Sequence, residues 1–178
     1  VIVRTHQTTG TFMPTFSRAH YSDCEQYRYY LSRVWDFTRP LVNYLMLNPS
    51  TATEEQNDPT LARCQERAQR LEYGGFVVTN LFAFRATDPK DMKRAADPVG
   101  PDNNAQIAEA AMNSPVIILG WGATGGHRER ARQVIAMLEP YHDKLYYLRL
   151  TGTGYPQHPL YIGYDQQPQK FYTRKDQV

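Results

Sequence analysis

Four short apolar runs, each cut off by a polar or glycine turn, constrain this chain more than any other feature. They are Leu41 to Leu47, Phe76 to Asn80, Pro115 to Leu119 and Leu145 to Leu150. Each has strand length, and the first is apolar almost throughout, as expected of a strand buried on both faces. Helix signals lie between them. Asp58-Pro59 reads as an N-cap followed by proline at the first helical position. Leu61, Cys64, Ala68 and Leu71 then recur on one side until Gly74-Gly75 stops the helix. A second helix is expected over 102–112 after Pro101-Asp102, and a third from about His127 to Leu138 after Gly125-Gly126. Strands alternating with helices predict an α/β domain, specifically a three-layer α/β/α sandwich around a central, mainly parallel, four-stranded sheet.

The remainder of the chain is less regular. Tyr27 to Trp35 reads as a further strand, aromatic and partly alternating, while residues 1–26 read as polar and irregular. A chain of 178 residues suits one domain, with its core over about 27–165. A loop of roughly 20 residues follows Asn80, long enough to suspect a functional role.

Composition excludes more than it assigns. The net charge of +2 gives no argument for a polyanionic partner unless the basic residues cluster. Cys24 and Cys64 lie far apart with no CxxC, which excludes a four-cysteine iron–sulfur cluster and leaves no cysteine zinc site to expect. No apolar run reaches membrane-spanning length and no signal-peptide pattern opens the chain. The expectation is a cytoplasmic monomer without metal, cofactor or membrane contact.

In open α/β sheets, ligands bind outside the carboxyl ends of the strands. Asn48-Pro49, Thr79-Asn80, Gly120-Trp121-Gly122 and Thr151-Gly152 all fall at such ends, and their convergence predicts a site. Pro49 fixes its own backbone and holds Asn48 extended, so this carboxamide is either a placed functional group or simply the end of a strand. Asn80 offers donors and an acceptor that suit an amide-like edge, such as that of a nucleobase, or else bonds to local backbone. Phe82 and Phe84 are either stacking faces or core plugs, and Arg85 reads as a phosphate or carboxylate partner. Gly120-Trp121-Gly122 permits close backbone approach beside a stacking plate, or covers the core where a strand leaves it. Gly125-Gly126 reads as a helix N-terminal anion site, without the GK[ST] of a nucleoside triphosphate loop.

Three further groups complete the candidates. His158, held between Pro156 and Pro159, is either a donor to a developing anion or a solvated loop residue. Asp58 either caps its helix only or also faces the cleft. Ser50, Thr51 and Thr53 suggest a hydroxyl-rich pocket, and Lys90, Lys93 and Arg94 are possible phosphate contacts on a basic loop.

In their order, these motifs resemble the uracil-DNA glycosylase superfamily. Its first motif, of the type Gly-x-Asn/Asp/Ala-Pro, is matched by Met46-Leu47-Asn48-Pro49-Ser50, with Met46 where the glycine would stand. Its base-reading Asn is matched by Val78-Thr79-Asn80-Leu81, its Trp-Gly strand end by Ile118-Leu119-Gly120-Trp121-Gly122, and its His-Pro loop by Thr151 to Leu160. The His-Pro pair comes later after its strand than is usual, so Thr151 or Thr153 is the alternative to His158 at that place. The chain looks closer still to an uncharacterised bacterial and phage family within reach of that superfamily. That match rests on Leu47-Asn48-Pro49-Ser50-Thr51-Ala52, Asn57-Asp58-Pro59-Thr60, Asn80-Leu81-Phe82-Ala83, Asp97-Pro98-Val99-Gly100-Pro101 and His158-Pro159-Leu160-Tyr161.

The resemblance implies a monofunctional DNA glycosylase acting on a modified or damaged base flipped out of DNA, with phage-modified DNA as a target and antiviral defence as the setting. Asn48, Asp58 and His158 are then the catalytic residues. Pro49, Ser50, Thr51, Asn80, Phe82, Arg85, Trp121, Gly122 and Thr151 are the substrate-binding ones. The alternatives are an enzyme that remodels modified bases without excision, and a non-catalytic reader of modified DNA.

Overall fold

The computed structural model describes residues 1–8 and 14–172. The sheet has eight strands in the order β1-β2-β3-β5-β4-β6-β7-β8. These are β1 (Ile2–Gln7), β2 (Phe16–Tyr21), β3 (Arg28–Val34), β4 (Leu41–Met46), β5 (Gly75–Asn80), β6 (Val116–Leu119), β7 (Leu145–Tyr147) and β8 (Gln169–Lys170). The four expected strands lie side by side at its centre, with β5–β4, β4–β6 and β6–β7 all parallel. The sheet is nonetheless not four-stranded: β1, β2 and β3 extend it antiparallel beyond β5, and β8 pairs antiparallel with β7. The domain is α/β, with a larger and more mixed sheet than the apolar runs suggest.

Residues 1–26 also depart from expectation, since Ile2–Gln7 and Phe16–Tyr21 within them form β1 and β2, which pair antiparallel. The reason is the type of residue that β2 buries. Ser17, Ala19 and Tyr21 alternate inward, so the period of two is present but is carried partly by small residues. β1 lies at the sheet edge and is mostly exposed.

Helices cover both faces of the sheet. On one face α1 (Pro59–Arg70) packs Leu61, Cys64 and Ala68 against Val42, Tyr44, Met46, Phe76 and Val78. On the other, α3 (Asn103–Asn113) and α4 (Arg130–Met137) bury Ile107, Ala111, Ala131 and Val134 against Leu45, Ile117, Leu119 and Leu145. Alternation along β4 accounts for the split, because Val42, Tyr44 and Met46 point one way and Leu45 the other. The suspected long loop contains a short helix, α2 (Pro89–Arg94), capped by the Asp88 side chain at the Lys90 N–H, 2.8 Å.

The helix expected from His127 begins later. Residues 123–129 form a kinked 3₁₀ segment, and Arg128 and Glu129 take left-handed backbone at φ 52° and 57° before α4 starts. Gly125-Gly126 therefore does not open an α-helix, and the expected anion site is not built. Gly125 serves packing instead: a Cβ there would stand 2.1 Å from Cδ1 of Trp121.

The strand order fixes where a site can lie. From β4 the chain crosses through α1 to β5 on one side, then through α3 on the opposite face to β6 on the other. The carboxyl end of β4 is thus the point where the winding reverses, and a crevice opens there.

Candidate functional site

That crevice holds a pocket of about 530 Å³. Its walls come from the segment after β4 (Leu47, Asn48, Ser50, Thr51), the end of β5 (Asn80), the segment after β6 (Trp121 to Thr124), the start of α1 and the His158 loop. Asn48, Ser50, Thr51, Asn80, Trp121 and Gly122 come together here from the ends of β4, β5 and β6, and Asp58 and His158 line the same pocket from the start of α1 and from the last loop.

Asn48 is held by its amide nitrogen. Nδ2 donates to the Ala86 carbonyl at 2.8 Å and to the Pro49 carbonyl at 3.0 Å. Two carbonyls cannot face a carboxamide oxygen, so the orientation is determined, and Oδ1 remains as an acceptor. The same stretch is tied by the Ala86 N–H donating to Pro49 O at 2.9 Å, so the turn after β4 and the residues before α2 form one unit.

Asp58 caps α1, its Oδ1 accepting from the Leu61 N–H at 2.9 Å. One carboxylate oxygen is thereby committed, and the residue still borders the pocket. His158 caps a 3₁₀ turn, Pro159–Tyr161, by accepting the Leu160 N–H on Nδ1 at 3.3 Å. An imidazole that accepts on Nδ1 carries its proton on Nε2. Burial lowers the pKa of His158, and the negative Asp58 offsets this only in part, so the ring is held neutral. Gly120 sets the loop in place: a Cβ on it would lie 2.7 Å from Cδ of Pro159, so the loop closes directly over the end of β6.

Asn80 is 2% exposed, and its Oδ1 has no hydrogen-bond partner among the described residues. Its backbone is fixed by the Asn103 side chain, whose Nδ2 donates to the carbonyls of Asn80 and Leu81 at 3.0 Å each. Trp121, 3% exposed, borders the pocket, and its Nε1 is likewise buried without a partner. An unsatisfied buried polar atom costs roughly 1–3 kcal/mol, and two such atoms belong to residues that line this pocket.

Several expected contacts are not in the pocket walls, Phe84 among them, whose ring lies 5.9 Å from that of Tyr27. Phe82 is fully buried in the core between the sheet and α3/α4, its ring 5.8 Å from that of His127, so it is a plug and not a stacking face. Arg85 turns toward the β2–β3 hairpin, donating to Glu25 O at 3.2 Å with its guanidinium 5.3 Å from the Tyr21 ring centroid. Thr151 closes a local turn, accepting the Tyr155 N–H at 3.1 Å and bonding to Thr153. Thr53 accepts the N–H groups of Glu55 and Gln56 at 3.2 Å each, within its own turn. Pro49 contributes only its carbonyl, to Asn48 and Ala86.

The pocket also includes residues that the strand-end argument misses. Thr60, Thr87 and Thr124 add hydroxyls, and Tyr161 stands at the rim 71% exposed. Arg28 is the most consequential omission, a cation only 3% exposed on a wall of the pocket. Its signal was available in Tyr27-Arg28-Tyr29-Tyr30-Leu31, where a charge interrupts an aromatic strand. Among the described residues no cluster of His, Cys, Asp or Glu is arranged to hold a metal ion, and no helix is long and apolar enough to cross a membrane.

Fold and pocket together define an α/β domain with a partly enclosed pocket, lined by apolar surface and a set of polar side chains, at the carboxyl edge of its parallel strands. Residues 28–160, which include every strand-end motif of the pocket, match the family described as Protein of unknown function (DUF1643), and the chain belongs to that family. No curated protein and no solved structure matches it.

Proposed function

We propose that this chain is a monofunctional DNA glycosylase with a uracil-DNA glycosylase-like arrangement, acting as a cytoplasmic monomer on a modified or damaged base flipped out of DNA. The observation that carries the reading is how Asn48 and His158 divide their polar atoms. Asn48 commits its amide nitrogen to two carbonyls and keeps an acceptor, while His158 commits Nδ1 to a backbone N–H and keeps a donor. Hydrolysis of an N-glycosidic bond needs such a pair, one group to orient water and one to meet the charge on the departing base.

In the proposed reaction, Asn48 Oδ1 accepts a hydrogen bond from the attacking water and aims its oxygen at the anomeric carbon. The C–N bond breaks with its electron pair going to the base, where the Nε2–H of His158 donates to the developing anion. The proton lost by the water passes to the Asp58 carboxylate and is finally taken up by the base. Asn80 reads the base edge, and Trp121 borders the base. Among the described residues no lysine lines the pocket, and the proposed reaction includes no lyase step through a Schiff base. The exposed Lys90, Lys93 and Arg94 on α2, whose Pro89 lines the pocket, supply a basic rim for phosphates. A volume of about 530 Å³, with Ser50 and Thr51 on the wall, leaves room for a substituent and favours bulky bases of the kind found in phage DNA.

The test is an abasic-site assay on genomic DNAs carrying ordinary bases, uracil or hypermodified phage bases, with alkali to break the strand. Breaks confined to one DNA are expected, and they should vanish in Asn48→Ala. Tight binding to DNA without breaks on any of them would favour a reader or a base-remodelling enzyme instead.

A further inference from the structure

Among the described residues four arginines are buried: Arg28, Arg33, Arg67 and Arg130. Three of them are well supplied with acceptors. Arg33 donates to Asn57 Oδ1 and to the carbonyls of Ser32, Thr53 and Gln56. Arg67 reaches the carbonyls of Ile162, Gly163 and Gln166, and Arg130 reaches Leu81 O and Asn104 Oδ1. The guanidinium of Arg28 has a single partner among the described residues, the Ala52 carbonyl, and no ion pair.

A guanidinium has five N–H donors in a planar fork, and taking it out of water without a counter-charge is costly. Burial pulls Arg28 down to about 10, so it is still a cation at neutral pH. The Asp58 carboxylate supports its charge through space, and Arg33 and Arg85 oppose it. Arg28 differs from the other three in one more respect: it lines the pocket. Asn80, with its own unpartnered buried oxygen, lines the same pocket. A buried cation short of acceptors and a buried acceptor short of a donor, on residues that line one cavity, fit a ligand that is anionic at one point and a hydrogen-bond donor at another.

We propose that Arg28 forms an anion subsite within this pocket, filled by an anionic oxygen group of the bound nucleotide, either a carboxylate on the base or a phosphate. The planar fork suits either group as a bidentate partner. The proposal rests on the pocket being a nucleotide-binding one, but it does not require that the glycosidic bond be broken.

Binding by the whole chain should be measured by calorimetry for 2′-deoxycytidine, 5-carboxy-2′-deoxycytidine and 2′-deoxycytidine 5′-monophosphate. One of the two anions should bind about tenfold or more tightly than the neutral nucleoside, and which one names the source of the charge. The gain should disappear in Arg28→Gln, persist in part in Arg28→Lys, and be unaffected in Arg85→Gln, whose side chain points elsewhere. As a check that needs no variant, the Nε–Hε resonance of Arg28 should shift on titration with the anion that gains and stay put with the neutral nucleoside. No gain for either anion, or a gain unchanged in folded Arg28→Gln, overturns the subsite. An Arg28-dependent gain in a protein that excises nothing would sustain the subsite and remove the glycosylase; excision without the gain would do the reverse.

Discussion

The Nδ2 of Asn48 donates to the carbonyl of Ala86 at 2.8 Å, across 38 residues of sequence. This bond joins the turn after β4 to the segment leading into α2 and decides which end of the carboxamide meets the pocket. Replacing Asn48 by Asp would set a carboxylate against two carbonyl oxygens. Asn48→Asp should cost about 1–3 kcal/mol of stability by denaturant unfolding and also abolish excision. Asn48→Ala should cost less stability, because no charge is left facing the carbonyls, with the same loss of activity.

Asp58 has two proposed roles that one pair of variants separates. Asn caps a helix about as well as Asp, whereas Ala loses the cap at a cost of about 1 kcal/mol. Asp58→Asn should therefore unfold at nearly the wild-type denaturant midpoint and yet lose most of its excision rate. If Asp58→Asn retained full activity, Asp58 would be a cap and nothing more.

The His158 pKa is lowered in the folded chain by burial. The sign follows from linkage: the unfolded imidazole takes up a proton more readily, so the contribution to stability is complete above about 6.5. It is lost as pH falls from there toward the lowered folded value, below which no further loss accrues. Protonation also removes the Nδ1 acceptor that holds the Leu160 N–H. Wild-type stability should fall on acidification through this window more steeply than that of His158→Asn. His127, also lowered chiefly by burial, remains in both proteins and cancels in the comparison.

Gly120 is where the His158 loop comes closest to the sheet. Gly120→Ala places a methyl 2.7 Å from Cδ of Pro159, which can be relieved only by moving the loop that carries His158. We expect about 1–3 kcal/mol of destabilisation and a larger proportional loss of activity. Gly152 is the natural control, since a Cβ there meets nothing within 4 Å, and Gly152→Ala should leave both properties unchanged.

Much of the centre was legible because it is written in apolar residues. Leu41, Phe76, Pro115 and Leu145 head runs that become four adjacent parallel strands, and Asp58-Pro59 marked a helix start to the residue. Of the added strands, β3 was legible as the run Tyr27 to Trp35, but β2 was not, since it buries Ser17 and Ala19, nor was β8, two polar residues that pair with β7 and whose side chains meet the Tyr147 hydroxyl and the Tyr146 ring. The site divided in the same way. Residues at strand ends, such as Asn48 and Asn80, are placed by topology alone. Phe82 and Arg85 fell outside because the direction of a side chain just past a strand depends on packing, and here the core took Phe82 while the Tyr21 ring and Glu25 took Arg85. A lone charge in the aromatic run Tyr27 to Leu31 marks Arg28 as unusual, but the acceptors it lacks are visible only in the folded chain.

The most direct test of the account is to look for the product itself. DNA carrying the modified base should be incubated with wild-type protein and with Asn48→Ala, and the small-molecule fraction examined by mass spectrometry for the free base. The account predicts free base released in step with new abasic sites by the wild type, and neither product from Asn48→Ala. Free base without Asn48 dependence, or tightly bound DNA returned with every base in place, would contradict it.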